Sequence, residues 1–215
     1  MGLFDKKYCD VCGERIGLLG NRKLEDGNLC KDCARKLSPW FSERRNSSVN
    51  EIKRQLEYRE ENRGRVEAFH ITRTLGSGTK LLLDEDAGLF MVTSAKNIAE
   101  ANPDVLALSD VTGCTLDVEE SSKELLHEDK DGNEVSYNPP RYEYSYDFYI
   151  IVNVNNPYFN EMRFRINPNS VEISPPPSIR PGVTLRFNPE TNAEYKKYKQ
   201  LGEEIRQILV KVRDD

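Results

Sequence analysis

The sequence predicts an α+β chain: a small cysteine-bearing module at residues 1–45, a charged helical connector at 46–67, and a mainly antiparallel β region at 68–215 with a C-terminal helix. Three observations carry this prediction. Four of the five cysteines lie within the first 33 residues, as two close pairs. From Phe69 onward, short apolar runs are bounded by turn residues and alternate with polar positions, the period-two signature of strands. From Asn192 to Val212 the apolar residues return at helical spacing. Composition agrees: 37% hydrophobic residues is low for one large core, and 31% charged residues implies much exposed surface.

The module is read from its cysteines. They run Cys9-x2-Cys12, seventeen intervening residues, then Cys30-x2-Cys33, a spacing typical of zinc sites. Two residues between cysteines let one tight turn aim both sulfurs at a common point. Zn²⁺ has no d-electron preference and takes four thiolates in a tetrahedron. Gly13 follows Cys12, where such a turn needs a backbone free of Cβ constraint. Asp26-Gly27 is a hairpin signal between the pairs. Lys31 to Leu37 can start a helix, placing Cys30 and Cys33 at its N-terminus, whose positive end favours thiolate. Knuckle, hairpin and helix-borne knuckle make a treble-clef-like arrangement. A redox pair or two disulfides are the alternatives, and reduced cytosolic thiols favour metal over both. Four cysteines close the coordination sphere, whereas a catalytic zinc keeps one position open. The expectation is therefore one structural zinc on Cys9, Cys12, Cys30 and Cys33, supplying what a core of about 40 residues lacks.

Pro39 interrupts the helix after the second pair, beside Trp40 and Phe41. Ser48-Val49-Asn50-Glu51 has the pattern of a capping box. Val49, Ile52 and Leu56 share a helical face, and the rest of this stretch is charged, so a solvated connector ending at Gly64 is expected. In the β region, Thr79–Leu83 and Leu89–Thr93 read as a hairpin across Asp84 to Gly88. Asn97 to Asn102 reads as one helical turn stopped by Pro103. Val105–Leu108 and Val111–Val118 read as strands. The clearest strand is 141–154, where Tyr142, Tyr144, Tyr146, Phe148, Ile150, Val152 and Val154 share one face. Met162, Phe164 and Ile166 give its partner. Ser174 to Gly182 is a proline-rich loop, and Val183 to Phe187 is a last strand. Tyr195, Tyr198, Leu201, Ile205, Ile208, Leu209 and Val212 form the inner face of the final helix.

Residues 8–45, from Tyr-Cys-Asp-Val-Cys-Gly to Leu-Cys-Lys-Asp-Cys-Ala-Arg-Lys-Leu, resemble a bacterial family of unknown function with an N-terminal zinc finger or ribbon domain. The resemblance covers about a fifth of the chain, includes all four cysteines, and implies zinc. Residues 69–213 are similar to a bacterial PH-like module, with a starting hairpin, a Leu-Ser-Asp-Val-Thr segment at 108–112, antiparallel strands and one C-terminal helix. That resemblance implies a bent sheet plugged by the helix. PH-like modules bind lipids or proteins. The basic lipid-binding loops have no match here, and Asp84-Glu85-Asp86 has the wrong sign for anionic headgroups, so lipid binding is not supported by the sequence.

Other chemistry-bearing residues read as structural. Cys114 is expected to be a buried inert thiol. His70, in a strand, and His127, in a charged loop, have no evident catalytic partner. Asp129, Asp131 and Gly132 fit a turn better than an EF-hand, since alignment on Gly132 puts His127 and Asn138 at ligand positions. Residues 1–66 hold 15 Lys and Arg against 11 Asp and Glu, and residues 67–215 hold 16 against 25. Arg15, Arg22, Lys23, Lys31, Arg35 and Lys36 are candidate phosphate contacts, but interleaved acids argue against a dedicated nucleic-acid surface. The expected function is a non-enzymatic interaction or adaptor protein with zinc as a folding element and a protein partner, Trp40 serving as anchor or as part of the module's own core. The alternatives are nucleic-acid binding through the zinc module, and an enzyme whose site is assembled from distant residues. No run approaches the roughly 18 apolar residues of a membrane span. Met1 to Lys7 is not a secretory signal, and Lys6 spoils a myristoylation motif at Gly2, so a cytoplasmic location is expected.

Overall fold

The computed structural model describes residues 6–174 and 188–211. The proline-rich loop beyond Ser174, the strand expected at 183–187 and Val212 lie outside the described residues. The chain has two compact units. One comprises Met1–Thr74, Leu82–Thr112 and Asn153–Met162, the other Leu75–Leu81, Gly113–Val152 and Arg163–Asp215. Compactness thus divides the chain differently from the linear segments 1–45, 46–67 and 68–215.

In the first unit the cysteine segment forms two small antiparallel ribbons. Strand β1 (Lys7–Tyr8) pairs with β2 (Arg15–Ile16), and β3 (Arg22–Lys23) with β4 (Asn28–Leu29). Helix α1 (Lys31–Arg35) follows, then a 3-10 turn at Glu43–Asn46 and the long helix α2 (Val49–Ala68). The capping box forms as the sequence specifies. The Ser48 hydroxyl accepts from the Glu51 amide, and the Glu51 carboxylate accepts from the Ser48 amide at 2.7 Å. Gly64 does not end α2, which continues to Ala68.

Helix α2 is also not a solvated connector. Ile52, Gln55, Arg59, Asn62 and Val66 are buried, a stripe with spacings of three and four residues. Its centre is polar, and each polar group except the Gln55 amide finds partners. Arg59 donates to Asp104 Oδ1 at 2.7 Å, to the Lys36 carbonyl at 3.2 Å and to the Asn102 carbonyl. The second Asp104 oxygen accepts from the Ser38 hydroxyl at 2.8 Å. Asn62 donates to Asn102 Oδ1 and to the Pro103 carbonyl, and accepts from the Val105 amide. Burial pushes the Asp104 carboxyl up, while Arg59 and the Ser38 hydroxyl oppose that rise.

The segment receiving these bonds follows the hairpin. Strands β5 (Arg73–Leu75), β6 (Lys80–Asp84), β7 (Leu89–Thr93) and β8 (Leu106–Ala107) form a sheet in that order. Asp84 organises the β6–β7 turn by accepting from the amides of His70 and Ala87, which hold its carboxyl below the usual range. Helix α3 (Ile98–Ala101) is the expected single turn, capped by Asn97 and ended by Asn102 in the left-handed region at φ 48°. Asparagine tolerates that conformation better than most residues, and its side chain then donates to the Arg59 carbonyl. Val66, Leu82, Met91 and Val105 form an apolar cluster with Phe69, Leu89 and Ile98.

A 3-10 turn at Leu108–Asp110 leads into a long hairpin of β9 (Val111–Glu128) and β10 (Glu134–Val154). Both strands run further toward the turn than the sequence suggested. Gly132 takes φ +81°, and Asp129 accepts from the amides of Asp131 and Asn133, so this segment is a hairpin turn as expected. Strands β11 (Glu161–Arg165) and β12 (Val171–Ile173) flank β10.

In the second unit Tyr146, Phe148, Ile150 and Val152 are buried. Asn167 accepts from the Phe148 amide and donates to the Tyr146 carbonyl. A 3-10 turn at Pro189–Thr191 precedes the C-terminal helix α4 (Ala193–Lys211). Its Tyr195 ring meets Tyr146 and Phe148 edge-on, at 5.0 Å between centroids in each case. Gly202 makes a notch for Leu116: a Cβ there would lie 2.5 Å from Leu116 Cδ1.

Arg59→Leu leaves Asp104 buried without its cation, and we expect a loss of about 3 kcal/mol or more. Arg59→Leu combined with Asp104→Asn should cost less than the sum of the two single changes. A denaturant double-mutant cycle measures both; additivity would show that the ion pair is not a coupled unit.

Candidate metal centre

The first knuckle is a turn closed on itself. The Gly13 amide donates to the Cys9 carbonyl at 2.8 Å, and the Cys9 amide to the Glu14 carbonyl at 2.9 Å. Gly13 takes φ +76°, and a Cβ at this position would meet nothing within 4 Å, so the glycine is required for its backbone conformation and not for space. The second knuckle stands on α1. Cys30 is its N-cap residue, and its sulfur accepts from the Cys33 amide at 3.3 Å. The Cys30 amide in turn donates to the Cys9 sulfur at 3.3 Å, tying the knuckles together.

The four sulfurs lie within 4.8 Å of one another. Cys12 Sγ and Cys30 Sγ are 3.7 Å apart, and a regular tetrahedron with arms of about 2.3 Å has edges of about 3.8 Å. All five cysteines of the chain are free thiols. Cys9, Cys30 and Cys33 are buried, and Cys12 is exposed. Burial opposes ionisation of Cys9, but amide donors from Cys12, Cys30 and Val11 outweigh it and draw the thiol to about 7. Burial and the adjoining thiols push Cys33 strongly up. The Glu14 amide favours the Cys12 thiolate, but partial loss of water around this exposed sulfur and the adjoining thiols of Cys9 and Cys30 together raise it. Four thiols packed this closely cannot all ionise unless a cation stands among them. Their donor chemistry therefore fits a thiophilic divalent metal such as zinc.

The module's core reaches beyond residue 45. Cys9, Ile16, Leu24, Leu29, Cys30, Cys33 and Leu37 cluster with Ile52 of α2, and Val49, Leu56 and Phe41 pack against them. Two aspartates bind the pieces together. Asp10 accepts from the Asn28 amide at 2.6 Å, and Asp26 from the Val49 amide at 2.7 Å. Spacing drew attention to neither; an aspartate beside a cysteine and one in a hairpin turn were the available signals. Gly27 sits where a Cβ would come 2.5 Å from Val49 Cγ2 and 2.8 Å from Asp10 Oδ2.

Cys114 and the two histidines lie apart from this cluster. Cys114 is half-buried, and burial raises its thiol to about 11, which suits an inert role. His70 is exposed in the loop before β5 and not in a strand, 3.9 Å from Asp86. His127 is exposed and its ring packs on Tyr137. Four of the six candidate phosphate contacts border two separate depressions. Arg35 and Lys36 border one of about 300 Å³ beside Cys12 and Cys33. Arg22 and Lys23 border another of about 730 Å³ together with Arg44 and Arg45, which the sequence reading had not singled out.

Residues 7–55 match a family described as DUF4428, a domain of unknown function. The matched span ends inside α2, where Val49, Ile52 and Leu56 complete the core. No curated protein and no solved structure matches the chain. Among the described residues, no helix is long and apolar enough to cross a membrane.

Gly27→Ala should destabilise the module by about 1–3 kcal/mol, because Val49 is stiff and Asp10 is held by its hydrogen bond. Gly13→Ala should cost about 1 kcal/mol through backbone strain alone. Gly17→Ala, at an open position without positive φ, should be within about 0.5 kcal/mol of the parent. Chemical denaturation ranks the three; a neutral Gly27→Ala would show that the α2 junction is loose.

Proposed function

We propose that the cluster holds one structural zinc ion on Cys9, Cys12, Cys30 and Cys33, and that the chain is a non-enzymatic interaction protein built around this treble-clef-like module. The observation that carries this reading is the tetrad of sulfurs at mutual distances suited to a tetrahedral ion. When bound, zinc supplies folding free energy to a segment too short to bury a sufficient core. The chain's own residues do the rest. The amides of Cys30 and Cys33 donate to sulfur and offset part of the charge of four thiolates on one divalent ion. Four protein ligands leave no position for a substrate or an attacking water, which supports binding over catalysis.

The PH-like reading of the β region belongs with this proposal. Its support is the pair of four-stranded sheets followed by one amphipathic helix. A protein partner in the cytoplasm remains the first choice for the chain as an adaptor. Phe41 packs in the module's own core and Trp40 is half-buried, so anchors for such a partner are better sought elsewhere. Nucleic-acid binding is the rival, and the separation of Arg22 and Lys23 from Arg35 and Lys36, in different depressions, weighs against it.

Protein purified without added metal should contain about one zinc per chain by elemental analysis, and cobalt replacement should give the absorption of a tetrahedral thiolate site. Cys30→Ser should abolish stoichiometric metal and unfold the module. A folded, metal-free module would sink the proposal. Fluorescence anisotropy with mixed DNA and RNA oligonucleotides at physiological salt tests the rival, which requires tight binding with a steep salt slope.

A further inference from the structure

Strands β2 and β3 are joined by Gly17-Leu18-Leu19-Gly20-Asn21, in which the Gly20 amide closes a turn on the Gly17 carbonyl at 3.0 Å. Leu18 is 93% exposed and Leu19 89%, whereas Leu24, Leu29 and Leu37 of the same module are at most 7% exposed. Two adjacent leucines held in water at a glycine-bounded tip contribute nothing to the module's own core. Beside them lies the 730 Å³ depression bordered by Arg22, Lys23, Arg44 and Arg45, with Glu25 as the acid in its lining. Arg22, which borders the depression, also reaches back to the Leu19 carbonyl at 3.5 Å, so the tip adjoins the depression through this residue. Arg44 donates to the Lys23 carbonyl at 2.8 Å. Its burial, and then the charges of Arg45 and Arg22, hold its guanidinium below the ordinary range. Like charges gathered in a recess are relieved by an anion.

We propose that the tip and the depression form a membrane-docking site, in which Leu18 and Leu19 enter the interface of an anionic bilayer while Arg22, Lys23, Arg44 and Arg45 hold lipid headgroup phosphates and carboxylates. The proposal rests on the reading of the module as a metal-held binding module, and gives the adaptor a lipid surface as one of its partners. Charge complementarity and shape select the bilayer. A convex aliphatic tip flanked by cations matches an apolar slab bounded by a negative plane. A nucleic-acid surface has no use for exposed leucines, since bases stack on aromatic side chains. The acidic β6–β7 turn that argued against lipid binding belongs to a different segment. Neither signal suffices alone: two leucines bury little area, and a few cations give a weak, salt-screened attraction.

The test uses the full-length, zinc-loaded chain, sedimented with vesicles of phosphatidylcholine alone or with roughly one-third phosphatidylserine. Binding is expected only to the anionic vesicles, and should weaken as salt rises. Leu18→Ser/Leu19→Ser should lower the partition coefficient about tenfold or more at unchanged zinc content. Arg22→Glu/Arg45→Glu should remove the preference for phosphatidylserine, each lost cation contributing roughly fivefold. A zinc-loaded chain that sediments with neither vesicle, or whose binding survives Leu18→Ser/Leu19→Ser, overturns the docking site and leaves the zinc module standing. Oligonucleotide binding that Arg22→Glu/Arg45→Glu abolishes, without vesicle binding, assigns the depression to nucleic acid instead. A chain that carries no zinc and lacks a folded module overturns both readings.

Discussion

The first compact unit depends on a buried ion pair. Arg59 and Asp104 are both out of water, and neither is tolerable there alone. Each is therefore surrounded by groups that complete its hydrogen bonding: the Lys36 and Asn102 carbonyls for the guanidinium, the Ser38 hydroxyl for the carboxylate. The pair and these partners come from the end of the cysteine segment, from the middle of α2 and from the turn after α3. A single desolvated charge pair thus requires three stretches of chain, separated by tens of residues, to meet in one register. Hydrophobic burial would bring them together loosely; the directional bonds of a guanidinium bring them together one way.

This arrangement explains what was legible in α2 and what was not. Its N-terminus could be read because Ser48 and Glu51 satisfy backbone groups within three residues of themselves. Its buried face could not, because Gln55, Arg59 and Asn62 are residues whose usual place is the surface. Hydrophobic periodicity is blind to a polar stripe in which Arg59 and Asn62 find their partners about forty residues away. Gly64 misled for a related reason: an exposed glycine weakens a helix by about 1 kcal/mol, which packing at Val66 on its C-terminal side can offset. The hairpins, the single turn of α3 and the final helix were legible because local turn chemistry or an apolar face specifies each. Strands β9 and β10 exceeded their expected limits where burial fades and alternation no longer marks them.

The cysteine cluster was the most legible feature, since the paired spacing alone pointed to four sulfurs meeting at one place. Its surroundings were less so. The core of the module borrows Ile52 and Val49 from a helix that the sequence assigned to a connector, and the family match to residue 55 has the same extent. Leu18 and Leu19 passed unremarked because a leucine's exposure is a property of the fold and not of its neighbours in sequence. Arg44 and Arg45 meet Arg22 and Lys23 only when the 3-10 turn folds back on β3, a distance of about twenty residues along the chain.

The four sulfurs differ in access, and this makes one corner of the tetrad its door. Three are walled in, and Cys12 faces solvent. A metal held by four thiolates departs by losing them one at a time, and the first to be lost is the one that a proton, an oxidant or a competing chelator can approach. With the proposed zinc in place, the lifetime of the folded module would be governed less by the strength of the whole cage than by how long Cys12 stays bound. Modification of a single atom, Cys12 Sγ, would then suffice to begin dismantling such a module.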